Sequence, residues 1–67
     1  MQVFDPQAFK ERRKAAGYTQ KVLGEAIGTV ESHVQYWERG AKQPTATYLL
    51  RAMVLMKCAP SDLLKDE

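Results

Sequence analysis

Residues 20–39 read QKVLGEAIGTVESHVQYWER, and this run decides the fold. Leu23 and Ile27 stand four apart, and Val34 and Trp37 three apart, so each pair lies on one face of its own helix. Between the pairs, Gly28 can take the positive φ that ends a helix and turns the chain. Gly24 falls inside the first helix, where glycine costs about 1 kcal/mol relative to alanine. That cost points to a packing reason: a second helix crossing steeply, its backbone close to position 24. Two helices, a turn of a few residues and apolar inner faces make a helix-turn-helix motif over about residues 19–39.

Turn signals divide the rest of the chain in the same way. Asp5 followed by Pro6 reads as an N-cap and first helical position, opening a helix to about Ala16, with Gly17 as its stop. Thr19 caps the helix Gln20 to Ile27, and Gly28 ends it. The next helix runs from about Val30 to Glu38 or Arg39 and is stopped by Gly40. Ala41-Lys42-Gln43-Pro44 reads as a loop. Thr45 caps a fourth helix, Ala46 to about Met56, and Ala59-Pro60 opens a short last turn of helix containing Leu63 and Leu64. Val, Ile and Thr neither cluster nor alternate, so no strand is expected. The chain reads as all-α, with five helices in one domain over residues 1–67.

Composition narrows the function classes. The 67 residues carry 45% hydrophobic and 27% charged side chains, enough for a small core. A single cysteine, Cys58, excludes an internal disulfide framework and a Cys/His zinc cluster, and fits a reducing, cytoplasmic setting. The start Met1-Gln2-Val3-Phe4-Asp5 lacks the basic and apolar regions of a signal peptide. The stretch Ala46 to Met56 is too short for a bilayer and is interrupted by Arg51. Net charge is +2, a mild excess that many proteins without a nucleic-acid partner share. Residues 1–42 hold seven Lys/Arg against five Asp/Glu, and residues 43–67 hold three of each, so any basic face belongs to the first two-thirds. There is no nucleophile–base pair, P-loop or metal-ligand cluster, and too little chain to wall off a pocket. No enzyme, cofactor, metal or small-molecule ligand is expected.

The run Gly17-Tyr18-Thr19-Gln20…Leu23-Gly24…Ile27-Gly28…Val34…Trp37-Glu38-Arg39-Gly40…Pro44 resembles the Cro/C1-type, or xenobiotic-response-element-like, transcriptional regulators. The resemblance extends from about Phe9 to Leu64. It implies a compact five-helix, lambda-repressor-like domain that docks the second helix of its motif in the major groove of double-stranded DNA.

The resemblance also assigns roles. Gln20, at a helix N-terminus, matches a phosphate-contacting glutamine; otherwise it is a plain first-turn residue. Since Val34 and Trp37 face inward, Glu31, Ser32, Gln35 and Tyr36 face outward, toward base edges. Glutamate can accept from cytosine N4, serine can read either kind of edge, and glutamine can pair with adenine. Glu31 has an equal alternative as a first-turn acid favoured by the helix dipole. Thr29, Arg39, Lys42 and Gln43 are the further phosphate candidates, although Lys42 also reads as a solvated loop lysine. Arg13 and Glu38 are implied to form a structural pair between the first and third helices, alongside Gly24, Gly28 and Trp37. Lys10, Arg12, Lys14 and His33 read as solvated. Three positions depart from the family pattern: Val30 replaces the usual Ser/Thr cap, so that Thr29 is the substitute cap; Arg12 replaces an apolar residue; and Lys57 replaces a helix-ending glycine.

The fourth helix carries more apolar residues than one stripe needs. Leu49, Met53 and Met56, with Ala46 and Ala52, form the core stripe. Leu50, Val54, Tyr48 and Leu55 remain for a weak homodimer through this helix and the C-terminal turn, or are buried on several sides of a small fold. Two functions follow: a sequence-specific DNA-binding transcriptional regulator, expected to be a repressor, or a protein-interaction module on the same fold, of antirepressor or antitoxin type.

Overall fold

The computed structural model describes residues 1–67. In chain order the elements are β1 (Gln2–Phe4), α1 (Pro6–Ala15), α2 (Gln20–Ile27), α3 (Glu31–Arg39), α4 (Ala46–Met56), a 3-10 turn (Pro60–Leu63) and β2 (Leu64–Asp66). The expected five helices are therefore four α-helices and one 3-10 turn, and the expectation of no strands is overturned. β1 and β2 pair antiparallel, with Val3 opposite Lys65 and Phe4 opposite Leu64. Three-residue strands are too short to show alternation in sequence; long-range burial of Phe4 makes this one. Leu63 and Leu64, expected on one helical turn, are split between the 3-10 turn and β2. The Asp62 side chain accepts from the Ala59 N–H (2.8 Å) and holds the turn tight.

Helix ends follow local chemistry. The Asp5 side chain accepts from the backbone N–H groups of Gln7 and Ala8, and that of Thr19 from Val22. After α1, α2 and α3 the chain turns left-handed at Gly17, Gly28 and Gly40, and each turn returns the same pair of backbone bonds. At the second turn, Gly28 donates to Glu25 and Thr29 donates to Gly24 (2.8 Å), which satisfies carbonyls the helix leaves open. Lys57 ends α4 in the same region at φ 54°, without being glycine.

The core is Phe4, Phe9, Leu23, Ile27, Val34, Trp37, Ala52, Met56 and Leu63. Its aromatic rings form a chain across the elements. Phe4 packs on Phe9 (5.7 Å between centroids), Phe9 meets Trp37 edge-on (6.0 Å), and Trp37 lies against Tyr48 (5.8 Å). The paired terminal strands, α1, α3 and α4 are thereby locked to one another. On α4, Ala52 and Met56 are buried, whereas Leu49 and Met53 are half-buried and Ala46 is exposed. Ala46 thus leaves the expected core stripe, while Tyr48 and Leu49 in the same turn of α4 pack against the core. Tyr48 and Leu55 pack against this same core, which removes them from the surplus; Leu50 and Val54 stay 57% and 76% exposed.

Candidate nucleic-acid interface

The elbow between α2 and α3 is built on Gly24. A Cβ placed there would lie 3.0 Å from both the carbonyl carbon and oxygen of Val30 and 3.3 Å from the Glu31 nitrogen. The start of α3 rests directly on the α2 backbone. Leu23, Ile27, Val34 and Trp37 fill the space between. From the opposite side, Arg51 of α4 donates to the Ile27 carbonyl (3.0 Å), placing a cation at the negative end of α2. Nothing in the spacing of Arg51 announces this contact.

Arg13 fixes the orientation of α3. Its Nε and Nη2 donate to the two Glu38 oxygens (2.6 and 3.1 Å), and Nη1 donates to the Tyr18 carbonyl (2.8 Å). Both side chains are almost fully buried, at 7% and 3% exposure. Gln20 completes the cluster, donating from Nε2 to Glu38 (3.0 Å). A carboxylate only accepts, so the amide must turn its NH₂ toward Glu38. That uses one of its two hydrogens and leaves the second for another acceptor. No buried side-chain polar atom lacks a partner.

With Val34 and Trp37 inside, helical geometry turns Ser32 outward. Glu31 and Gln35 flank it on one side, Tyr36 and His33 on the other, and all five are exposed. Tyr36 is the most restrained. The Arg39 guanidinium lies 5.1 Å and the Lys42 ammonium 5.8 Å from its ring centroid, an arrangement attractive to the ring face. The Tyr36 carbonyl accepts from the Ala41 and Lys42 N–H groups, which folds the loop back beside α3. Glu31 has no ion-pair partner, and the only two salt bridges lie elsewhere.

Thr29 does not act as a substitute cap. Its hydroxyl pairs with His33 Nδ1, and α3 begins at Val30 without a side-chain cap. His33, read from sequence as simply solvated, is thereby held in place. Arg12 also has a partner, Asp62 at 3.1 Å, though an exposed pair of this kind contributes little. Lys10 reads from sequence only as part of a solvated face. It lines a wholly polar depression with Gln20, Gln35, Glu38 and Arg39, and its position on α1 gave no sign of this, because the depression exists only once α1, α2 and α3 meet.

A helix-turn-helix family profile matches residues 9–63, from within α1 to the end of the 3-10 turn at Leu63. The chain belongs to the Cro/C1-type helix-turn-helix family. Among curated relatives of this helix-turn-helix domain is the HTH-type transcriptional regulator DicA of Escherichia coli (strain K12), 31% identical over 58 residues. The match takes in 87% of the chain but 43% of DicA, so the chain spans less than half that relative's length. Among solved structures, the P22 c2 repressor in complex with synthetic operator 9T aligns with a TM-score of 0.82 and 29% identity, over 92% of this chain and 94% of that one. SinR, described as the master regulator for biofilm formation and solved in complex with DNA, aligns with a TM-score of 0.77 over 85% of this chain and 95% of that one. At 24% identity, SinR attests the fold alone. No helix here is long and apolar enough to cross a membrane.

Proposed function

We propose that residues 1–67 act as a single DNA-binding domain of a cytoplasmic transcriptional regulator, a repressor by its resemblance to the P22 c2 protein, and that it works by binding alone. The observation that carries this reading is the exposed outer edge of α3, fixed to α1 and α2 by the buried Arg13–Glu38–Gln20 cluster. A rigid, polar helical edge is what major-groove reading requires. Ser32 leads, with Gln35 and Tyr36 beside it, and Glu31 meets a cytosine N4 donor. Gln20, with its spare amide hydrogen, seats a phosphate together with Lys10 and Arg39; Lys42, Gln43 and Thr29 approach the backbone from the other side. Phosphate contacts supply affinity and register, and base edges supply sequence preference.

Selection of bound duplexes from a random pool tests this. A consensus should emerge, and affinity for it should fall steeply with salt. Failure to bind any duplex at low salt would favour the other use of the fold, as an antirepressor- or antitoxin-like partner of another protein. The unpaired Glu31 is the feature that reading would exploit.

We also propose that two copies meet weakly through α4, on the exposed Leu50 and Val54. Tyr48 and Leu55, engaged with the core of their own chain, contribute little to that contact. Paired copies would read two half-sites. Sedimentation that shows only monomer, with and without the selected duplex, would remove this element.

A further inference from the structure

The sheet formed by the two terminal strands lies beside the loop that follows α3. Successive side chains on a strand point to opposite faces. Phe4 is buried and Leu64 half-buried, so the pair opposite each other at the next register position, Val3 and Lys65, turns the other way. Val3 and Lys65 line a groove of about 290 Å³, which the edge of Phe4 also reaches. Gly40, Lys42 and Gln43 line it too, with Pro6 close to Gly40. Lys42 and Lys65 therefore line one groove, from elements far apart in sequence. Neither has a carboxylate partner within salt-bridge distance, since the salt bridges are Arg12–Asp62 and Arg13–Glu38. One acid, Glu67, also lines the groove, which leaves an excess of one positive charge.

We propose that the terminal strand pair belongs to the DNA-binding face, and that Lys65 holds a backbone phosphate next to the one met by Lys42. This rests on the DNA-binding reading above and extends it to an element that sequence periodicity does not reveal. The strand pair would then do two things: close the core over Phe4 and carry a cation to the loop that borders α3. Because the contact is to phosphate, it strengthens binding to all duplexes equally and carries no sequence information.

The test compares Lys65→Gln with the native chain on a random-sequence duplex, following affinity against salt. Loss of one phosphate contact reduces the slope of log K against log salt by about 0.9. Between 50 and 200 mM salt the variant should therefore lose about 3.5-fold less affinity than the native chain. Lys14→Gln removes the same charge from an exposed site away from the groove and should keep the native slope. Glu67→Gln, which removes the opposing carboxylate, should tighten binding. An unchanged slope in Lys65→Gln, or an equal change in Lys14→Gln, overturns the proposal while leaving DNA binding intact. If the native chain binds no duplex at low salt, the DNA reading itself fails and the Lys65 proposal falls with it. Circular dichroism of each variant separates loss of contact from loss of fold, and a folded Glu67→Gln that binds no tighter counts against the groove.

Discussion

Replacing Gly24 with alanine sets two energies of opposite sign against each other. Helix propensity alone favours alanine by about 1 kcal/mol at an interior position. Against it stands the new methyl group, 3.0 Å from two backbone atoms of Val30 and 3.3 Å from the Glu31 nitrogen. These are main-chain atoms at the entry to α3, so no side-chain rotation relieves the contact; α2 and α3 must move apart. Forcing a methyl into a packed site typically costs about 1–3 kcal/mol. The shift also disturbs Leu23, Ile27, Val34 and Trp37 together, which places the cost toward the upper part of that range. The net expectation is destabilisation by about 1–2 kcal/mol. In a domain of this size that lowers the melting temperature by roughly 4–16 °C. Urea denaturation followed by circular dichroism measures it through the midpoint, at unchanged slope. An alanine variant more stable than the native chain by the propensity term would refute the close crossing of the two helices.

Three further outcomes follow from the same geometry. Arg13→Ala should cost about 3–5 kcal/mol by stranding the buried Glu38 carboxylate, while Arg13→Met/Glu38→Leu should be less destabilised than that single variant; a thermal-denaturation cycle showing simple additivity would contradict a buried pair. Lys57→Gly should stabilise by about 0.5–1 kcal/mol, because relief of left-handed strain of about 1–2 kcal/mol exceeds the added chain entropy; a lowered urea midpoint would count against it. Burial, and secondarily the Asp62 carboxylate, raise the Cys58 thiol above its ordinary pKa, with Arg12 opposing. The folded state thus favours the protonated thiol, so its contribution to stability is fully present below the ordinary thiol pKa and is lost as pH rises from there through the raised value of the folded state. Cys58 should alkylate more slowly at pH 8 in the native chain than in urea, and equal rates would contradict the burial.

What could be read from sequence was the part governed by local rules. Gly24, Gly28 and the apolar pairs of α2 and α3 announce the elbow, because each answers a steric demand within twenty residues. Asp5, Thr19 and Thr45 mark helix starts for the same reason. The outward set on α3 follows from helical period once Val34 and Trp37 are placed inside. What escaped depends on contacts between distant parts of the chain. β1 exists because Phe4 packs on Phe9 and Leu64 lies opposite it. Lys10 reaches the polar depression only after three helices assemble. Thr29 chose His33 over the helix end, a local competition that side-chain chemistry permits but spacing does not decide. For Tyr48 the sequence leaves both a partner surface and burial within the fold open, and its packing on Trp37 decides for burial.

The claim on which the functional account rests is that the outer edge of α3 enters the groove. Amide chemical-shift mapping on addition of a selected duplex tests it directly. The account predicts the largest changes at Glu31, Ser32, Gln35 and Tyr36, with Gln20 and the loop at Lys42 and Gln43 next, and little change at Leu50 and Val54 beyond any dimer contact. Changes centred on α4, with α3 undisturbed, would contradict it.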